Sequence, residues 1–119
     1  MEIWINPACS KCRAALDELT AAELSYTVRR YLEDPPTETE IDAVLAKLGL
    51  QPWDIARAAE ARAAGIDLPR DAEHRDAWLS ALAAHPAVLQ RPIITAADGT
   101  AVVGRDPESL ARVIAAEGP

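Results

Sequence analysis

Glu2-Ile3-Trp4-Ile5-Asn6-Pro7-Ala8-Cys9-Ser10-Lys11-Cys12 opens the chain, and its reading decides the fold. Glu2-Ile3-Trp4-Ile5 reads as a short buried strand, Asn6-Pro7-Ala8 breaks it, and Cys12, Leu16 and Leu19 then recur on one helical face. The unit is therefore strand, loop, helix. Tyr26-Thr27-Val28-Arg29-Arg30-Tyr31 is rich in β-branched and aromatic residues and predicts a second strand after the helix. Two strands joined by a helical crossover run parallel, and the crossover is right-handed.

Downstream, Pro35-Pro36 ends the extended stretch. Thr37 with Glu40 has the capping-box spacing, and Ile41, Val44, Leu45 and Leu48 follow at helical intervals to Gly49. From Pro52 to Ala64 the pattern is weaker and Ala-rich. Asp71 to Ala84 predicts a further helix with Trp78, Leu79 and Leu82 inward, closed by His85-Pro86. Pro92-Ile93-Ile94-Thr95, Asp98-Gly99 and Ala101-Val102-Val103 predict a β-hairpin on a type I′ turn. Asp106-Pro107 then starts a last helix with Leu110, Val113 and Ile114 on one stripe before Gly118. The order β-α-β, helices, β-β-α is that of a thioredoxin-like α/β fold, a mixed four-stranded sheet with a helical insertion. A single domain over residues 1–119, with its insertion at about 37–85, is expected.

At 119 residues the chain has the length of one hydrophobic core. Its net charge of −7 argues against binding nucleic acid or an anionic membrane surface, which requires Lys and Arg to neutralise phosphates. No stretch approaches the roughly 20 apolar residues that span a bilayer. Met1-Glu2-Ile3-Trp4 lacks the basic and apolar regions of a signal peptide, so a soluble, cytoplasmic protein is expected; a monomer is expected as well.

Cys9 and Cys12 are the only cysteines. Two thiols cannot complete a four-ligand zinc site, and His74 and His85 lie at unsuitable spacing, so no metal is expected. Cys9 falls where the loop enters the helix, where unpaired amides and the helix dipole favour the thiolate, as would Lys11 or Arg13. The same helix terminus suits an oxyanion, placing nucleophile and anion cradle together. Cys12, three positions on, gives the CxxC spacing in which one thiol resolves a bond made by the other. The plain alternative is two small buried core residues.

Asn6-Pro7-Ala8-Cys9-Ser10-Lys11-Cys12-Arg13, then Tyr31-Leu32-Glu33-Asp34-Pro35-Pro36, then His85-Pro86 with Arg91-Pro92-Ile93-Ile94 together resemble the arsenate reductases of the glutaredoxin-coupled class, over essentially the whole chain. The resemblance implies that Cys9 attacks arsenate and that three arginines, here Arg57, Arg91 and Arg105, bind the oxyanion. Arsenate is a doubly charged tetrahedral anion near neutral pH, and planar guanidinium groups grip its oxygens in pairs. It further implies a cis-proline loop at Arg91-Pro92, no bound cofactor, and an external reductant: glutathione with glutaredoxin, or mycothiol with mycoredoxin. The chain departs from the family at three places. Ala58-Ala59 replace polar residues after Arg57, Ile5 stands where some members carry histidine, and Cys12 stands where many carry serine.

Two alternatives accompany this reading. A general thiol-disulfide oxidoreductase would use Cys9 and Cys12 without arsenate. An Spx-type regulator would use the same fold and CxxC switch to bind the RNA polymerase alpha subunit, but such regulators usually lack the arginine that stands here in Val103-Gly104-Arg105-Asp106. Arg62, Arg70, Arg75 and His74 read as surface groups, His85 as a helix stop, and Trp53 and Trp78 as core anchors, with Trp53 alternatively near a partner surface.

Overall fold

The computed structural model describes residues 1–118. Its strands are β1 (Glu2–Ile5), β2 (Thr27–Arg30), β3 (Ile93–Thr95) and β4 (Ala101–Val103). Its α-helices are α1 (Ser10–Ala21), α2 (Glu38–Leu48), α3 (Ala58–Ala63), α4 (Arg75–Ala84) and α5 (Pro107–Glu117), with short 3₁₀ turns at Pro52–Ile55, Ala72–His74 and Pro86–Val88. The chain divides into two compact units, one of Met1–Asp34 with Arg91–Pro119 and one of Pro35–Gln90.

The first unit carries the mixed four-stranded sheet, in the order β2-β1-β3-β4. β1 runs parallel to β2 and antiparallel to β3, and β4 closes antiparallel on β3. Side chains alternate across a strand, so Ile3 and Ile5 share one face of β1. With Cys12, Ala15 and Leu19 of α1, Ile94 of β3, Val102 of β4 and Val113 of α5 they form a closed apolar core. On β2, Val28 is exposed and the Arg29 guanidinium lies over the Trp4 ring, 5.6 Å from its centroid.

The hairpin turn differs from the expected type I′. That turn needs a positive φ at both central residues, but within this loop only Gly99 has one, at 92°. The Gly99 amide donates to the Ala96 carbonyl at 3.0 Å and the Ala96 amide to the Thr100 carbonyl at 2.8 Å. The result is a three-residue loop with glycine in its last, left-handed position.

In the second unit, Thr37 and Glu40 close the capping box of α2, and Gly49, at φ 69°, ends the helix in the left-handed conformation. The segment 71–84 is not one continuous helix. Asp71 caps a 3₁₀ turn, its side chain accepting from the His74 amide, and α4 starts only at Arg75. Trp78 is buried and donates from its indole to the Pro69 carbonyl at 2.9 Å. Trp53 packs edge-on against it at 6.4 Å but is only half-buried. Arg75 is not a free surface charge: it reaches Asp42 at 2.7 Å and Gln51 at 3.3 Å, tying α4 to α2 and to the segment after it.

Candidate active site

Ile5 pairs with Arg30, so the next residues along the parallel strands, Asn6 and Tyr31, leave the sheet side by side. In the antiparallel direction, Trp4 pairs with Ile93 and Ile93 with Val103. Carried past those pairs, the same registers bring Arg91 and Arg105 to this edge, the Gly104 amide donating to the Pro92 carbonyl at 2.8 Å. Each strand therefore delivers one polar residue to a single rim: Tyr31, Asn6, Arg91 and Arg105. The rim lies at the carboxyl ends of the parallel pair, where α/β sheets place their ligand sites.

Asn6 shapes the loop that leaves β1. Its side-chain oxygen accepts from the Ala8 amide at 3.0 Å, and its carbonyl accepts from the Cys9 amide at 2.9 Å. This turn sets Cys9 as the N-cap of α1, at φ −86° and ψ 123°. No acidic residue occupies the first turn of that helix, so no carboxylate competes for its positive end. The Cys9 side chain closes no capping hydrogen bond as a thiol. As a thiolate it does better. Burial works to raise its pKa, but the Cys12 amide, the Arg91 side chain and the Lys11 amide outweigh burial and bring it down to about 7. The cationic side chain acting on the sulfur is thus Arg91, delivered from a distant part of the chain. Lys11 contributes its amide, and the side chains of Lys11 and Arg13 are exposed.

Cys12 has the opposite character. It is fully buried, and burial, together with the charge on Cys9, pushes its thiol up to about 11 although the Asn6 amide favours its anion. Its Sγ accepts from that amide at 3.5 Å, so Cys12 also fastens the loop that presents Cys9. The two cysteines differ in the sense that their helix positions imply.

Arg91 stands at a cis peptide bond to Pro92. Arg105 donates through Nη1 to the Arg91 carbonyl at 2.8 Å. Cys9, Cys12, Arg91 and Arg105 all belong to the sheet-bearing unit, whereas Arg57 belongs to the other. There Arg57 is the N-cap of α3, its amide donates to the Val88 carbonyl at 2.7 Å, and its Nε lies 3.1 Å from Glu60 in an ion pair. His74 pairs with Asp71 at 2.6 Å, and His85 is exposed. Tyr31 was not among the expected site residues, although it is buried at 1% exposure on the rim. Two signals in the sequence point to it: Tyr31 closes the aromatic, β-branched run of the second strand, and it opens the Tyr31-Leu32-Glu33-Asp34-Pro35-Pro36 motif.

Among the described residues no group of three or more His, Cys, Asp or Glu side chains could hold a metal ion, and no helix is long and apolar enough to cross a membrane.

A model of the ArsC family matches residues 4–113. The chain is 61% identical over 113 residues to a protein of Streptomyces viridochromogenes described as an uncharacterized protein in the glnII region, covering 92% of this chain and 95% of that one. It is 37% identical over 115 residues to an arsenate reductase of Neisseria meningitidis serogroup A, covering 96% of this chain and 97% of the relative. Among solved structures, the arsenate reductase from Vibrio cholerae superposes with a TM-score of 0.83 at 30% identity, covering 95% of this chain and 98% of that one. The fold is that of the thioredoxin-like arsenate reductases.

Proposed function

The chain belongs to the ArsC family, and on that premise we propose that it reduces arsenate to arsenite through Cys9, using an external thiol as the source of electrons. The observation that carries this reading is the placement of Cys9 as N-cap of a helix with no acidic residue in its first turn, its thiol brought down to about 7 in part by the Arg91 side chain. A nucleophile half-ionised near neutrality and a guanidinium beside it are what attack on a tetrahedral oxyanion requires.

In the proposed reaction the Cys9 thiolate forms a bond to pentavalent arsenic, and one arsenate oxygen leaves as water after protonation. Arg91 and Arg105 bear the negative charge of the remaining oxygens, and Arg57, by family resemblance, is assigned to the same task. Two external thiol equivalents then give up two electrons and two protons and end as one disulfide; the Cys9–arsenic bond breaks, one proton returns Cys9 to its thiol and the other goes to the arsenite that leaves with arsenic in the trivalent state. Glutathione with glutaredoxin, or mycothiol with mycoredoxin, supplies the reducing equivalents in the cytoplasm, and the protein itself holds no cofactor in this scheme.

The test is arsenite formation by the purified protein given arsenate and each of the two thiol systems. Turnover with one of them, abolished in Cys9→Ser, supports the reading, and no arsenite with either system rejects it. One observation favours a second reading as a general thiol-disulfide oxidoreductase: Cys12 lies buried one helical turn inside Cys9, where a resolving thiol would lie. Reduction of a model disulfide at a rate unaffected by loss of Arg91 and Arg105, without arsenate turnover, would decide for it.

A further inference from the structure

Tyr31 is 1% exposed, and its hydroxyl is buried without closing a hydrogen bond to another described residue. A buried hydroxyl in that condition lowers stability, because its hydration is lost without replacement. Phenylalanine would fill the same space at lower cost. The hydroxyl therefore does nothing evident for the fold.

Its location suggests what it does. β2 delivers Tyr31 to the rim beside Asn6, and the registers through β1 and β3 bring Arg91 to the same rim. We propose that Tyr31 is a positioning residue of the oxyanion site: its buried hydroxyl, which closes no bond here, accepts a guanidinium N–H of Arg91 when that side chain engages the Cys9 thiolate and the anion, and so holds it there.

The electrostatics agree with the geometry. Burial is the main reason that the phenol is pushed up to about 12, and the nearby charge opposing that rise is Arg91, with the two cysteine sulfurs close enough to add to it. Tyr31 thus stays neutral across the working range of the thiol. It neither takes nor gives a proton in the reaction. A phenol oxygen that accepts from Arg91 removes rotational freedom from a long side chain whose remaining donors then face the sulfur, and preorganised donors act most strongly where charge develops.

The inference rests on the Cys9 site described above, but its test does not need arsenate. The ionisation of Cys9 is followed by the pH dependence of its alkylation, located by mass spectrometry, in wild type, Tyr31→Phe, Arg91→Gln and the double variant. Tyr31→Phe should fold at least as stably as wild type, shift the Cys9 inflection upward and slow alkylation below neutral pH by about threefold, since the thiolate is the reacting species. In the Arg91→Gln background the same change should have no effect, because Tyr31 acts through Arg91. An unchanged inflection in Tyr31→Phe overturns the proposal, as does an equal shift with Arg91 already gone. A Tyr31→Phe protein that fails to fold overturns it too, since the hydroxyl would then be structural. Failure of the wild type to reduce arsenate would remove the substrate assignment and leave these titrations standing.

Discussion

The Arg105 side chain reaches back across the hairpin and donates through Nη1 to the Arg91 carbonyl at 2.8 Å. The two arginines are thereby joined, one supplying its backbone and the other its side chain, at the rim where Cys9 lies. Arg105→Ala removes the tie on the Arg91 backbone and, under the proposed function, a cation for the oxyanion. Arsenate turnover should fall by ~10² to 10³, the range for loss of a donor that strengthens toward the transition state. Arg105→Lys should recover only part of it, since an ammonium cannot make two parallel bonds to one anion. Arg70→Ala, at an exposed position, is the control; Arg75 is unsuitable because it pairs with Asp42. Arsenate turnover equal to wild type in Arg105→Ala would remove it from the site.

The two thiols should separate cleanly by pH. In Cys12→Ser protein the remaining Cys9 should alkylate with an inflection near its pKa of about 7, whereas Cys12 in Cys9→Ser protein should stay nearly inert until far more alkaline conditions. Faster reaction of Cys12 than of Cys9 below neutral pH would reverse the assignment of nucleophile.

What could be read from the sequence was local. The capping box of Thr37 and Glu40, the left-handed Gly49 and the Asp106-Pro107 start of α5 each depend on residues within one or two turns, and the structure contains all three. Cys9 at the strand-to-helix junction was legible for the same reason. What escaped depends on distant partners. Arg75 finds Gln51 and Asp42 at separations of 24 and 33 residues. Tyr31 is buried although the strand before it is largely exposed. The cation acting on Cys9 is Arg91 and not a neighbour in the helix, because sheet pairing and not sequence proximity brings it there. Asp98-Gly99 suits two hairpin loops, and the choice lies in the pairing distance between Ala96 and Thr100, which dipeptide composition does not encode.

Stability should have a maximum at moderately alkaline pH. Cys9 is lowered from 9.0 to about 7, so its contribution is fully present above 9 and is lost as pH falls through 7. Cys12 is raised from 9.0 to about 11, so its contribution is present below 9 and is lost as pH rises through 11. Tyr31, raised from 10.0 to about 12, adds to the alkaline loss. Urea midpoints should therefore rise modestly from pH 7 to 9 and fall beyond it, and the fall should be shallower in Cys12→Ser. A fall of the same steepness in that variant would show that burial of the Cys12 thiol is not its cause.

Gly104 sits where a side chain could enter only by displacing its neighbours. A Cβ at this position would meet Ile94 Cδ1 at 2.7 Å, Leu110 Cδ2 at 3.2 Å and Pro92 Cγ at 3.4 Å. Gly104→Ala should lower stability by about 1–3 kcal/mol, as overpacking does. Because Gly104 also bonds the Pro92 carbonyl, arsenate turnover should drop with it. An unchanged urea midpoint would mean that the core beside Ile94 yields without cost.

Peroxide should link Cys9 to Cys12. The Cys9 thiolate attacks the peroxide, one oxygen leaves as hydroxide, and the sulfenic acid that remains is open to attack by a neighbouring thiol, with water as the second leaving group. Cys12 is the thiol at CxxC spacing, and it is shielded from solvent, so it can reach Cys9 but not an external oxidant. Burial holds Cys12 protonated, and its Sγ must release the Asn6 amide to move, so closure should be slow at neutral pH and accelerate as pH rises. Mass spectrometry of the peptide containing both residues should show the loss of two protons, restored by dithiothreitol, while Cys12→Ser should accumulate the higher oxidation states of Cys9. If wild type accumulates those states with Cys12 still free, Cys12 serves only to fasten the Asn6 loop and the resolving thiol must come from outside the protein.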